Sequence, residues 1–188
     1  MLEGKILGYG LSEIGPYTLE RCHAVHPVMA VQNEYSLWTR TPELGLIRRC
    51  AQLGVAFVPF SPLARGVFGT PMADPANFAQ GEFRARIPRF YPENWPHNRT
   101  ILDAFHSMAK ARGYTPAALA LAWLLDRAPH ILPIPGTRTL DHLRAWAMAP
   151  EIDLTDDDRE EIDRLLPVGW AWGDRYDDLQ AQTVERYS

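Results

Sequence analysis

Thr137, Arg138 and Thr139 follow directly on a Pro-Gly pair in the stretch HILPIPGTRTLDHL (130–143), a grouping suited to an anion. Pro135 has no N–H and ends a strand. Gly136 reaches backbone dihedrals that other residues resist. Thr137 and Thr139 are N-cap types, so unpaired N–H groups gather where a helix opens. Those donors, a helix's positive end and the planar guanidinium of Arg138 together suit a phosphate. The same residues also make an ordinary strand-to-helix turn with a surface arginine, and local sequence leaves both readings open. Other chemistry-bearing residues are less promising. His23 and His26 have a metal-like spacing without a third ligand nearby, and read as surface histidines. Asp156, Asp157 and Asp158, with Glu160 and Glu161, complement a helix dipole better than they hold a cation. Tyr9 and Tyr35 could serve as acids, but no neighbouring Lys or Asp supports either, so both are read as structural.

The elements that position Arg138 alternate. A helix tail is expected over 1–5, with Gly4 near its C-cap. Strand one is expected at 6–11, then a helix over 18–26 starting at Thr18. Strand two is expected at 28–32, a helix over 42–53 opened by Pro42, and strand three at 55–59. In that second helix Leu44, Leu46, Ile47, Cys50 and Ala51 keep a helical period. Residues 60–97 are long and irregular, yet rich in aromatics, which argues for an ordered belt or lid. A helix over 100–112 and one opened by Thr115-Pro116 follow, the latter apolar all round and hence buried. Strand four, at 131–134, is short and apolar, as a strand covered on both faces should be. Thr155 and Asp158 form a capping box for a last helix to about 166. The tail after it drapes over the surface. Four strand–helix units imply a parallel sheet with helical crossovers.

Bulk properties narrow the class. The 188 residues are 46% apolar and 22% charged with a net charge of −4, as in a soluble globular domain. No basic stripe suggests nucleic acid. No apolar run approaches the roughly 20 residues that span a bilayer, and no signal-peptide pattern opens the chain. Cys22 and Cys50 fall in expected helices and read as reduced thiols of a cytoplasmic protein.

Several blocks in order resemble the aldo/keto reductase family: GLSE (10–13), VQNEYSLWTR (31–40), PFSPLARG (59–66), RFYPEN (89–94), TPAALALAWLL (115–125) and PIPGTR (133–138). The resemblance implies a TIM barrel, with its site at the C-terminal ends of the strands. The four strands correspond to the barrel's fifth to eighth. The expected fold is therefore α/β: a single incomplete domain over 1–188, the C-terminal (βα)4 half of a (β/α)8 barrel. A truncated or split reading frame is the expected origin of such a chain.

The resemblance also implies roles. Ser12 and Gln32 match residues that hold a nicotinamide carboxamide. Glu13 stands where many members have Asn. Phe60 matches an aromatic that stacks on the nicotinamide, which needs only a ring face. Ser61, Leu63 and Arg65 match a loop closing over the pyrophosphate. Gly136, Thr137 and Arg138 match the adenosine 2′-phosphate site, favouring NADP(H) over NAD. His142, one turn on from Arg138, either reaches the adenine or its phosphate or is an exposed helix residue. Trp38 borders a substrate pocket or simply packs.

Three departures stand out. Ala145-Trp146 replaces an adenine-gripping Glu-Asn pair, and Phe68-Gly69-Thr70-Pro71 replaces a belt that ends in lysine. No residue matches the family's catalytic Asp, Tyr, Lys and His, which lie on the first four strands. The expected function is NADP(H)-dependent reduction of a small aldehyde or ketone, with the isolated chain inactive. The alternative is a catalytically inert NADP-binding or interaction module. A half-barrel leaving roughly six to eight aliphatic side chains uncovered forfeits on the order of 10–20 kcal/mol, against a domain stability of about 5–15 kcal/mol. Self-association, or pairing with a complementary half-barrel, is therefore expected, with no nucleic acid or membrane partner.

Overall fold

The computed structural model describes residues 3–185. Three parallel strands lie side by side in chain order: β1 (Gly10–Ser12), β2 (Ala30–Glu34) and β3 (Ala56–Phe60). Ser12 is level with Gln32, and Glu34 with Phe60. Helices α1 (Pro16–Val25) and α2 (Leu46–Leu53) connect them. The chain continues with α3 (Trp95–Ala111), α4 (Pro116–Arg127), α5 (Leu140–Trp146) and α6 (Asp156–Leu165).

The fourth strand is shorter than its sequence suggests. Only Ile131 forms a bridge, to Phe57. The backbone contact nevertheless runs on: Leu132 N–H donates to Phe57 O and Ile134 N–H to Pro59 O. Pro133 and Pro135 occupy the alternate positions, whose N–H groups would face the outer edge. That edge offers no donors there, a common defence against wrong pairing. Ile131 is buried, but Leu132 and Ile134 are about half exposed, so the strand is not covered on both faces.

Other expectations also need correction. Strand one is confined to Gly10–Ser12; Ile6 and Leu7 are exposed and pair with no strand among the described residues. Strand two starts later, at Ala30, and runs on to Glu34. Helix α1 starts earlier, with Pro16 as its first residue and Gly15 as its cap, so Thr18 lies inside it. The expected helix from Pro42 is broken by Gly45 (φ 143°), which only glycine adopts readily. A single 3-10 turn, Thr41–Leu44, precedes the break and leaves Leu44 exposed. Trp95 and Pro96 already belong to α3. Of the expected helix tail at 1–5, residues 1 and 2 lie outside the described residues, and Glu3–Lys5 is non-helical.

Other local signals hold. Thr115 caps α4 by accepting from Ala118 N, and every residue from Pro116 to Leu124 is buried. The Thr155–Asp158 capping box is complete. Cys22 and Cys50 are free thiols on α1 and α2, and burial pushes Cys50 up to about 12.

The core fills the space between the sheet and its helices. Val31 and Phe57, register partners, point one way and are fully buried. Tyr35 lies against Phe57 and Trp123. Its hydroxyl donates to Glu43, so it is indeed structural; burial raises its pKa first, the Glu43 charge second. The Tyr9 hydroxyl donates to the carbonyls of Cys22 and His26. Trp38 packs against Phe90 and Trp170. The tail is anchored: Trp170 Nε1 donates to Leu37 O, Trp172 N to Asn98 Oδ1, and Gly15 N donates to the Glu185 carboxylate.

Candidate nucleotide cleft

Three strand ends supply the first part of the site. Ser12 ends β1, and its hydroxyl donates to Gln32 O at 3.0 Å. Gln32 is exposed on β2, two residues before the buried Glu34. Phe60 ends β3, half-buried. Glu13 follows Ser12 in a left-handed conformation (φ 53°) and accepts from Glu34 N at 2.9 Å.

The loop after Phe60 is strained. Ser61, Ala64 and Arg65 all have φ between 49° and 60° without being glycine. Such residues persist only where their surroundings hold them, and they concentrate at functional sites. Here Ala64 is buried, Ala64 N–H donates to Ser61 O, and Gly66 N–H donates to Leu63 O.

A chain of ion pairs joins this loop to the strand ends and the tail. Arg65 meets Glu34 at 2.9 Å, and Arg175 reaches both Glu34 and Glu13. Burial pulls the Arg175 pKa down, but the hydrogen bond to Glu13 and the Glu34 charge outweigh it and leave it raised. The Arg65 guanidinium rests 5.7 Å from the Phe60 ring centre, 5.3 Å from Phe83 and 5.9 Å from Tyr176. Nearby, burial lowers Arg89 to about 10; its guanidinium donates to Trp38 O and the Thr39 hydroxyl.

A cleft of about 600 Å³ opens beside the loop, within the range of roughly 300–1,000 Å³ typical of small-molecule sites. Ser61, Leu63 and Arg65 of the loop line it, and so do Gly136, Arg138 and His142 from the stretch that leads into α5. Six of the ten residues expected to hold a cofactor thus share one cleft. Thr137 is exposed beside it, its hydroxyl bonded to Thr139 O. Ser12 and Phe60, at strand ends, and Gln32, mid-strand in β2 and level with Ser12, are not in its wall; Arg65, which lines it, also lies by Phe60. Thr139 caps α5 by accepting from His142 N, as its residue type suggests. Arg138 is exposed and has no hydrogen bond or ion pair among the described residues.

Sequence reasoning missed Arg84, on the 3-10 turn Phe83–Arg86, which lines the cleft; Ala145 and Trp146, which stand where the family has an adenine-gripping pair, line it too. The Trp146 Nε1–H is buried without a partner among the described residues. Arg84 pairs with Glu82; that hydrogen bond first, and later the charges of Arg84 and Arg138, lower the Glu82 carboxyl. The pairing of Glu34 with Arg175 joins residues far apart in the chain and leaves no local signal. His23 is accounted for within the fold, its Nδ1 accepting from Val28 N–H. Among the described residues no three His, Cys, Asp or Glu could hold a metal ion. No described helix is long and apolar enough to cross a membrane.

The model of the aldo/keto reductase family matches residues 1–167. The chain belongs to the aldo/keto reductase family. It is 41% identical over 174 residues to "Probable aldo-keto reductase 1" of Glycine max, covering 93% of this chain and 50% of that protein. Among solved structures, a glycerol dehydrogenase from Gluconobacter oxydans shares the fold with a TM-score of 0.79 at 24% identity, over 88% of this chain and 50% of its own. An aldo-keto reductase from Klebsiella pneumoniae, solved in complex with NADPH, gives a TM-score of 0.63 at 27% identity, over 94% and 53%. The chain spans about half the length of these relatives. As an aldo/keto reductase chain it has a TIM-barrel-like α/β fold, in which the C-terminal strand ends face the site. Here those ends carry Ser12, Glu34 and Phe60.

Proposed function

We propose that this chain is the cofactor-holding, C-terminal half of an NADP(H)-dependent aldo/keto reductase barrel. The observation carrying this reading is the single cleft that unites the strained loop at Ser61–Arg65 with Gly136, Arg138 and His142. Its donor chemistry fits a phosphorylated dinucleotide: an unpaired arginine at a turn, backbone N–H groups and a basic wall. A nicotinamide dinucleotide, when bound, supplies the hydride that reduces an aldehyde or ketone. The chain's own residues bind and orient it. Arg138 takes the 2′-phosphate, Ser61, Leu63 and Arg65 close on the diphosphate, and Ser12 and Gln32 hold the carboxamide. Phe60 offers a ring face, provided Arg65 moves aside from it.

The proton is the missing piece. The family's acid Tyr and its Lys, Asp and His helpers have no counterpart here, so the isolated chain reduces nothing. A complementary (βα)4 unit, another copy or a distinct half, is the proposed partner. Leu7, just before β1, and Leu132 and Ile134, on the segment beside β3, are exposed at the two edges of the sheet and support that reading. NADPH and NADH titrations of the purified 188-residue chain, read by nicotinamide fluorescence, test the binding claim. Tighter uptake of NADPH is expected. No uptake at millimolar concentration would overturn it. Carbonyl turnover by the isolated chain would overturn the account of the missing acid.

A further inference from the structure

Arg84 comes from the belt between β3 and α3 and lines the cleft, as Asn77 and Phe78 of the same belt do. Three contacts fix it there. Its Nη1 donates to Arg65 O at 3.2 Å, the carbonyl of a left-handed residue. Its Nε pairs with Glu82. Its guanidinium carbon lies over Phe78, 4.4 Å from the ring centre. An arginine carries five N–H donors in a rigid fork. Nη2 has no hydrogen bond among the described residues, so donors remain for a ligand. The fit around it is close: a Cβ on Gly66 would stand 3.4 Å from Arg84 Nη1 and from Ala73. The Ala73 N–H also donates to Gly66 O, tying the belt to the loop a second time.

We propose that Arg84 is a cofactor-positioning residue: a belt-borne cation that meets the diphosphate bridge of the dinucleotide and holds the Ser61–Gly66 loop in its strained form. This rests on the nucleotide reading above and adds a residue to it. Arg84 donates to the loop assigned to the diphosphate, whereas Arg138 lies on the turn before α5 and makes no bond to that loop. The two arginines therefore have separable effects. Loss of Arg84 weakens every dinucleotide, while loss of Arg138 weakens only the one carrying a 2′-phosphate.

The test is a matrix of fluorescence titrations: the unaltered chain, Arg84→Ala, Arg84→Lys and Arg138→Ala, each with NADPH and NADH, at low and high salt. Arg84→Ala is expected to weaken both dinucleotides about tenfold, the size of one charge-assisted hydrogen bond. It should also flatten the salt dependence, because one phosphate-facing charge is gone. Arg84→Lys is expected to keep the salt dependence while losing part of the affinity, since the charge stays and the fork does not. If the unaltered chain binds and Arg84→Ala binds both dinucleotides equally well, the Arg84 assignment falls alone. Weaker binding with unchanged salt dependence also overturns it, leaving Arg84 as loop support only. If the unaltered chain binds neither dinucleotide, the nucleotide reading falls, and this assignment with it.

Discussion

Replacing Glu34 by Gln removes the negative charge between two arginines. Glu34 is 4% exposed, and its carboxylate accepts from Arg65 at 2.9 Å, from the Thr39 hydroxyl at 3.2 Å, and lies 3.5 Å from Arg175. Removing one member of a buried ion pair costs about 3–5 kcal/mol, because the partner keeps its charge and loses its compensation. Arg65 and Arg175 are each about one-fifth exposed. Arg175 also keeps Glu13. Both facts pull the figure down, to about 2–3 kcal/mol. A domain of this size loses roughly 2–4 °C of melting temperature per kcal/mol, so Glu34→Gln should melt roughly 4–12 °C lower. Thermal unfolding followed by circular dichroism measures this. A second variant, Glu34→Gln with Arg65→Met, removes the stranded charge as well and should recover part of the loss. A melting temperature unchanged in Glu34→Gln would refute the reasoning, and so would a double variant worse by the full sum of the single effects.

Three further outcomes follow. Arg138→Ala should leave the melting temperature unchanged, since the side chain is exposed and unpaired among the described residues, and should weaken NADPH about tenfold or more with NADH unaffected; equal losses for both would refute the 2′-phosphate assignment. His106 is held neutral: burial lowers its pKa, and the hydrogen bond to Val67 O offsets this only in part. With the folded pKa below the ordinary 6.5, the unfolded chain binds more protons between those values. Stability is then full above about pH 6.5 and falls as the pH drops through the folded value; denaturant midpoints from pH 7.5 to 5 should show a decline that His106→Gln reduces. Thr155→Ala removes a cap that accepts from Asp158 N and donates to Asp158 Oδ2; about 1 kcal/mol of stability should be lost in urea titration.

How much of this was legible depended on the range of the signal. Thr115-Pro116 and Thr155-x-x-Asp158 are local devices, and both caps fall where their residue types put them. The apolar run 117–124 has no polar side to turn outward and is buried throughout. Errors arose where a tertiary neighbour decides the outcome. Ile6 and Leu7 have strand-like composition, but among the described residues the only strand alongside β1 is β2, and they stay exposed. Leu44 is a local exception: it fits a helical period that the adjacent Gly45 interrupts. In the candidate site, Gly136 and Arg138 share one short stretch whose residue types mark it, and His142, which the sequence leaves open, lies one turn on and lines the same cleft. Arg84, Glu34 and Arg175 carry no such mark, because their meaning lies in contacts between distant segments.

Those contacts explain how a strained loop survives. Three non-glycine residues in left-handed conformations cost about 1–3 kcal/mol each, a large share of a domain's total of about 5–15 kcal/mol. The loop cannot meet that cost from its own hydrogen bonds, which a relaxed loop would also make. The compensation comes from outside: Glu34 of β2 holds the Arg65 side chain, Arg84 of the belt holds its carbonyl, and Arg175 of the tail holds Glu34 in turn. On the proposed nucleotide reading these braces hold the backbone of residues 61–66 near its ligand-bound form, with Ser61, Leu63 and Arg65 lining the cleft. Holding a loop so before a ligand arrives would lower the ordering cost of binding. The strain, the three braces and the cleft therefore have one physical explanation.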